Sequence, residues 1–202
     1  MTRTQTQETQ AKLTPSDALA MLKDGNARFA AGETEPRDLG AQVRETTEGQ
    51  YPFAIVLGCI DSRVPPETVF DLGIGDIFSA RVAGNVLSDD VLGSMEFACG
   101  MAGALAVVVL GHTGCGAIKG ATSGVELGHL TQLLRRIEPA MASVTGQRGT
   151  SEYAELVAIS NVDLVVDQIR ERSPLLASLE EAQGITIVGA MYDVATGVVQ
   201  FR

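Results

Sequence analysis

Three side chains suited to holding a metal recur at telling positions in this 202-residue chain: Cys59, His112 and Cys115. Two thiolates and an imidazole make a good ligand set for Zn²⁺, and the spacing His112-x-x-Cys115 lets one turn supply two of them. Water, or the carboxylate of Asp61 in a closed state, can complete the tetrahedron. The two thiolates cancel the charge of the ion. A water bound there is therefore a weaker acid than at a three-histidine site, where its pKa is about 7, and activity is expected to rise with pH. Asp61 and Arg63 lie two residues apart and can reach the same space from an extended loop. A carboxylate on the metal would block it. One held by Arg63 leaves the metal open and can accept a hydrogen bond that orients a zinc hydroxide towards an electrophile. Glycines at 111, 114 and 116 permit close backbone approach, and the amides from Gly114 to Gly116 are expected to receive an oxyanion.

These residues do chemistry together only if the fold brings them to one place. Phe53-Ala54-Ile55-Val56-Leu57 is a continuous apolar run of strand length ended by Gly58-Cys59, and Ala106 to Leu110 is another ended by Gly111-His112. Such runs suit strands buried on both faces, as in parallel sheets. Asp76 to Val82 and Ile185 to Val188 read as further strands, and Tyr192 to Phe201 as a hairpin turning at Thr196-Gly197. Helical patterns separate them. Thr14-Pro15-Ser16-Asp17 is a helix start with a stop near Gly32, and Ser88-Asp89-Asp90 caps a second helix carrying Val91, Leu92, Met95 and Phe97. Leu130, Leu133, Leu134, Ile137 and Met141 recur at helical spacing, as do Leu156, Ile159, Val162, Val166 and Ile169. Glu33 to Gln50 carries little to fix its structure.

The expectation is an α/β fold: a single domain over residues 13–202, with a mainly parallel β-sheet flanked by helices, an N-terminal helical arm and a C-terminal hairpin, preceded by a flexible tail over residues 1–12. Sites in such sheets form beyond the carboxyl ends of the strands. That rule selects the segments at Cys59–Arg63, Arg81–Asn85 and Gly111–Gly116.

Composition narrows the function classes. A net charge of −10, no Trp and 4% aromatic residues argue against a nucleic-acid surface. The apolar stretch Phe97 to Gly111 is interrupted by Gly100 and Gly103 and falls short of the roughly 20 residues that a membrane span needs. The polar first residues lack the apolar core of a secretory signal, and three cysteines are too few for a disulfide framework, so a cytoplasmic protein is expected. Cys99 reads as a core thiol, and His129 as a surface or capping residue. Arg81 and Asn85 are candidates to line the site, with Arg81 and Glu96 an alternative interface ion pair. Other motifs fail on spacing. Cys59 and Arg63 are too close for a phosphatase loop, Gly111–Lys119 lacks the Gly-Lys-Ser/Thr of a phosphate loop, and Phe78 stands where a dinucleotide fingerprint needs its third glycine.

Cys59-Ile60-Asp61-Ser62-Arg63-Val64 together with Gly111-His112-Thr113-Gly114-Cys115-Gly116 resembles the signature of β-class carbonic anhydrases. The likeness extends to Gly25–Phe29, Arg81–Asn85, Ser94–Ala98 and Gly189–Gly197, in family order from about residue 15 onwards. The resemblance implies zinc ligands at Cys59, His112 and Cys115, an Asp61–Arg63 gating dyad, and reversible hydration of CO₂ to bicarbonate and a proton. It also implies a homodimer or homotetramer, with active sites near the subunit interface and an N-terminal helix reaching over the partner. Two positions depart from relatives. Val56 replaces a Trp used for allosteric bicarbonate binding in some of them, so that regulation is not expected. Leu72 replaces a substrate-holding Gln, which keeps carbonyl sulfide or carbon disulfide hydrolysis as an alternative on the same site. A non-catalytic, zinc-stabilised binding protein is the other alternative.

Overall fold

The computed structural model describes residues 4–202. Its sheet has five strands: β1 (Ala54–Gly58), β2 (Ile77–Arg81), β3 (Ala106–His112), β4 (Thr186–Tyr192) and β5 (Val199–Phe201). They lie in the order β2-β1-β3-β4-β5, parallel except for β5, which turns back antiparallel on β4. Every residue of β1 and β3 is buried, which is why their sequences are unbroken apolar runs rather than alternating ones.

Successive side chains point to opposite faces. Ile55, Leu57, Val107, Val109 and Ile187 meet Leu92, Met95, Val162, Val165, Ile169 and Leu176, which come from the helices Asp89–Gly100, Ser151–Arg172 and Pro174–Glu181. Val56, Val108, Leu110 and Ala190 face the other way, onto Ala18 and Leu22 of the helix Pro15–Ala31 and onto Val69 and Phe70. A third apolar cluster lies at the carboxyl ends of the strands and includes Cys59, Val86, Cys115, Ile118, Leu134, Ile137, Tyr153 and Val157. The long helix presses close there. A Cβ on Gly111 would stand 2.5 Å from a Val162 methyl and 2.7 Å from the Met191 sulfur, so only glycine fits.

The helix starts follow the capping chemistry. Thr14 and Asp17 exchange hydrogen bonds in a capping box, Ser88 accepts from the Val91 amide, and Gly32 ends the first long helix at φ 72°. Four details differ from the sequence reading. From Thr4 onward, the segment expected as a tail is tied down: Gln7–Gln10 forms one helical turn, and Gln10 Nε2 donates to the Pro52 and Ala102 carbonyls. Residues 1–3 lie outside the described residues. Within Glu33 to Gln50 a short helix, Leu39–Glu45, forms behind an Asp38 cap, while its Leu39 and Val43 side chains stay exposed. The single stripe from Leu130 to Met141 is two helices, Gly128–Arg135 and Glu138–Ala142, with Pro139 in the first turn of the second. Leu156, placed on the buried stripe of the long helix, is exposed; Tyr153, Val157 and Asn161 are buried instead. The helix Pro15–Ala31 packs onto its own sheet.

Candidate metal centre

β1 ends at Gly58, beside Leu110 of β3 in the parallel register, and Cys59 is the next residue. His112 is the last residue of β3, and Cys115 precedes the helix Gly116–Thr122. The three residues therefore meet because two neighbouring parallel strands end together. Their donor atoms all lie within 4.8 Å of one another, and all three side chains are buried. The two sulfurs are 4.0 Å apart and the cysteines are free. Two thiolates about 2.3 Å from one tetrahedral zinc would be separated by nearly that distance.

The imidazole orientation fits the same purpose. His112 Nδ1 lies 2.9 Å from the Thr113 carbonyl oxygen, so it carries the proton and leaves a lone pair on Nε2. Nε2 is buried and has no hydrogen-bond partner. A buried lone pair whose ring is fixed by the opposite nitrogen is the arrangement of a metal-ligating histidine. Cys59 accepts from the Gly84 amide at 3.3 Å. The Cys115 thiol beside it, with the His112 ring and the Gly84 and Asp61 amides, outweighs burial and pulls Cys59 well below the usual thiol range. Cys115 is pushed up by Cys59 and by burial, so Cys59 is the first of the pair to ionise. Burial opposes charge on His112, but Cys59 and the Thr113 carbonyl outweigh it and raise that pKa.

Asp61 stands outside this group. Its carboxylate is gripped by Arg63, with Nε at 2.9 Å from Oδ1 and Nη2 at 2.8 Å from Oδ2, and the Arg63 amide adds a 3.0 Å bond to Oδ1. Arg63 holds the Asp61 carboxyl well below the usual carboxylate range. Arg81 braces the same loop from β2, donating to the Cys59 carbonyl at 2.9 Å and the Asp61 carbonyl at 2.7 Å. A cavity of about 260 Å³ opens at the centre, lined by Cys59, Asp61 and mostly apolar groups including Ile60, Ala83, Leu130 and Leu134.

Several expectations fall elsewhere. The Gly114 amide, expected to receive an oxyanion, donates instead to Glu155 Oε1 at 2.8 Å. The Ala117 and Ile118 amides are directed at the Cys115 sulfur. Asn85 is buried at φ 42° and does not line the cavity. Glu96 accepts from the Ser173 hydroxyl at 2.6 Å. Two residues lie where expected: Cys99 is a core thiol that burial pushes up to about 12, and His129 is exposed near the start of its helix. Val56 is fully buried in the sheet, and Leu72 lines a separate cleft with Arg28, Arg37 and Asp76. Sequence reasoning missed Glu155 and Asn161, whose Nδ2 donates to the Gly84 carbonyl at 3.0 Å. The available signal was Asn161 itself, a polar residue between Ala158 and Val162 on a buried stripe.

The family model for carbonic anhydrase matches residues 54–199. A carbonic anhydrase of Mycolicibacterium smegmatis is 37% identical over 194 residues, covering 93% of each chain. Among solved structures, the β-carbonic anhydrase CafA of Aspergillus fumigatus superposes with a TM-score of 0.72 at 26% identity, over 93% of this chain and 89% of that one. The chain belongs to the β-class carbonic anhydrase family. Carbonic anhydrase 2 of Mycobacterium tuberculosis is 32% identical over 91% of this chain and 90% of its own. As a β-class carbonic anhydrase the chain is an enzyme of a metal-dependent class, and Cys59, His112 and Cys115 are the metal-type cluster among its described residues.

Proposed function

We propose that this β-class carbonic anhydrase interconverts CO₂ and bicarbonate with a zinc ion held by Cys59, His112 and Cys115. The observation that carries the reading is the orphaned, buried Nε2 of His112 facing two thiols while Asp61 is occupied by Arg63. A zinc ion there would supply a Lewis acid that makes a water nucleophilic near working pH.

The chain's own residues do the rest. Asp61 Oδ2 takes one donor from Arg63, which leaves it a lone pair to accept a hydrogen bond from the attacking water and so to aim the water's own lone pair. Arg63 fixes that carboxylate by a two-point grip and keeps it charged and off the metal. The apolar walls from Ala83, Leu130 and Leu134 admit a small uncharged molecule without competing for its oxygens. Bicarbonate, being charged, gains little from those walls and leaves. Arg63's grip on Asp61 also speaks against the non-catalytic alternative, in which Asp61 would close the metal. A homodimer or homotetramer is the assembly we propose. The free outer edge of β2 and the exposed Phe97, whose ring lies 6.0 Å from that of Phe78 on this strand, support it. Solved relatives from Sordaria macrospora, described as tetrameric, share the fold at a TM-score of 0.71 and 22% identity. Three unpaired cysteines suit a cytoplasmic setting.

The test is stopped-flow CO₂ hydration from about pH 6.5 to about pH 9 with zinc quantified in the same sample. One zinc per chain and a rate rising with pH are expected. Cys115→Ala should lose both the metal and the activity. Full zinc with no hydration at any pH would overturn the reading and turn attention to carbonyl sulfide.

A further inference from the structure

Among the described residues, five buried side-chain atoms lack a hydrogen-bond partner: Arg37 Nε, Asn85 Nδ2, His112 Nε2, Glu155 Oε2 and Asn161 Oδ1. All but the first sit on, or directly against, the two loops that carry Cys59's amide partner and the His112–Cys115 pair. Burying polar atoms without partners is costly, and folds that concentrate such costs do so where function needs them. Two of these residues, Glu155 and Asn161, come from one element, the helix Ser151–Arg172, and both reach loop backbone rather than other side chains.

Each contact lands on a glycine next to a ligand. Gly114, at φ 66°, stands between His112 and Cys115, and its N–H donates to the Glu155 carboxylate. A carboxylate acceptor makes this a strong, short bond, and it fixes the turn that sets the distance between the two ligands. Gly84, at φ 69°, is gripped twice. Its N–H donates to Cys59 Sγ while its carbonyl accepts from Asn161. A Cβ there would stand 3.1 Å from an Ile137 methyl and 3.2 Å from the Ala117 Cβ, so the loop is closely packed at this residue. The long helix is itself locked onto the sheet where Val162 fills the space above Gly111. It is the rigid body against which both loops can be referenced.

We infer that Glu155 and Asn161 are positioning residues of the metal centre: Glu155 sets the His112–Cys115 spacing through Gly114, and Asn161 holds the Gly84 amide on the Cys59 sulfur. The inference rests on reading Cys59, His112 and Cys115 as the metal ligands. Groups that bond a metal's ligands directly change its affinity by about 10- to 100-fold when removed, and Glu155 and Asn161 act one bond further out, so the lower end of that range is expected.

The experiment measures zinc affinity by chelator competition, the cobalt-substituted absorption spectrum and the melting temperature of the metal-free protein. It compares wild type with Glu155→Gln, Glu155→Met and Asn161→Leu. Glu155→Gln keeps an acceptor for the Gly114 amide and should bind zinc within about threefold of wild type, whereas Glu155→Met should bind about tenfold more weakly. Asn161→Leu is nearly isosteric and removes a half-satisfied buried amide. Its metal-free melting temperature should hold, while zinc affinity falls and the thiolate-to-cobalt charge-transfer band moves. A variant that melts below the assay temperature is replaced by Glu155→Ala or Asn161→Ala and read the same way. Wild-type affinity and spectrum in both the Met and Leu variants would overturn the inference, as would a loss in Glu155→Gln equal to that in Glu155→Met. A wild-type protein that binds no zinc would instead overturn the metal assignment beneath it.

Discussion

Of the aspartates that arginine grips in this chain, Asp61 and Asp71 stand in the most different surroundings. Asp61 and Arg63 are two residues apart on one loop, at the open end of the sheet, with side chains 17% and 53% exposed. Asp71 is 2% exposed and draws its partners from far along the chain: Arg28 Nε at 2.6 Å, Arg37 through both side-chain and backbone oxygens, and the Glu35 amide. Asp71 is also held at φ 48°, a conformation a non-glycine residue adopts only when its surroundings insist. The same pair of functional groups is thus local and open to solvent in one place, and long-range, dry and fixed in the other. A partly exposed pair contributes little to stability and leaves carboxylate lone pairs free, as the role proposed for Asp61 beside a reacting water requires. A buried one is expensive to break, and here it ties the segment after the first long helix to the turn before β2.

Asp61→Asn breaks the first grip with the largest effect. Asparagine keeps the size but loses the charge and one acceptor, so CO₂ hydration should fall by about 100-fold or more. Zinc content and melting temperature should stay as in wild type. A variant that keeps its rate would show that the loop carboxylate is only a brace, like its buried counterpart.

Asp71→Asn should do the reverse. Leaving Arg28 and Arg37 facing a neutral group should cost on the order of 3 kcal/mol, a fall in melting temperature of about 6 to 12 °C for a chain of this size. The rate per folded molecule should stay within about threefold of wild type. Loss of rate without loss of stability would erase the distinction drawn between the two sites. Lysine in place of each arginine sharpens it. Arg63→Lys gives up the two-point grip and should lower the rate by about tenfold, without a measurable change in melting temperature. Arg37→Lys should lower the melting temperature by a few degrees and leave the rate alone.

The contrast also marks what could be read from sequence. Asp61 and Arg63 were legible because both lie in one short segment after an apolar run, and that run ends where Cys59 begins. His112 was legible for the same reason, although β3 runs on through it rather than stopping at Leu110. Nothing local announced Asp71, since its partners lie 34 and 43 residues away. The helix Leu39–Glu45 escaped because its apolar side chains stay exposed and make no stripe. The oxyanion role given to Gly114 failed on a long-range partner too: only the packed helix shows that Glu155 takes that amide. Chemistry placed by strand ends is visible in one dimension. Chemistry placed by contacts between distant elements is not.

Acid unfolding offers the finest test of the buried site. Burial alone would raise the Asp71 carboxyl, but the Arg37 and Arg28 hydrogen bonds and the Glu35 amide together outweigh it and lower it. The unfolded carboxyl titrates near 3.9 and so binds a proton sooner as pH falls, which means the stabilisation is complete above that value and fades below it. Asp76 shares the cleft and behaves oppositely. Burial pushes its carboxyl up, so its contribution weakens as pH rises. Both wild type and Asp71→Asn retain Asp76, so its effect cancels when the two proteins are compared. The stability gap between them, measured by urea unfolding, should be constant above about pH 5 and close progressively below about pH 4. A gap that persists unchanged to about pH 3 would mean that Asp71 is held by shape alone, with its charge contributing nothing to the grip.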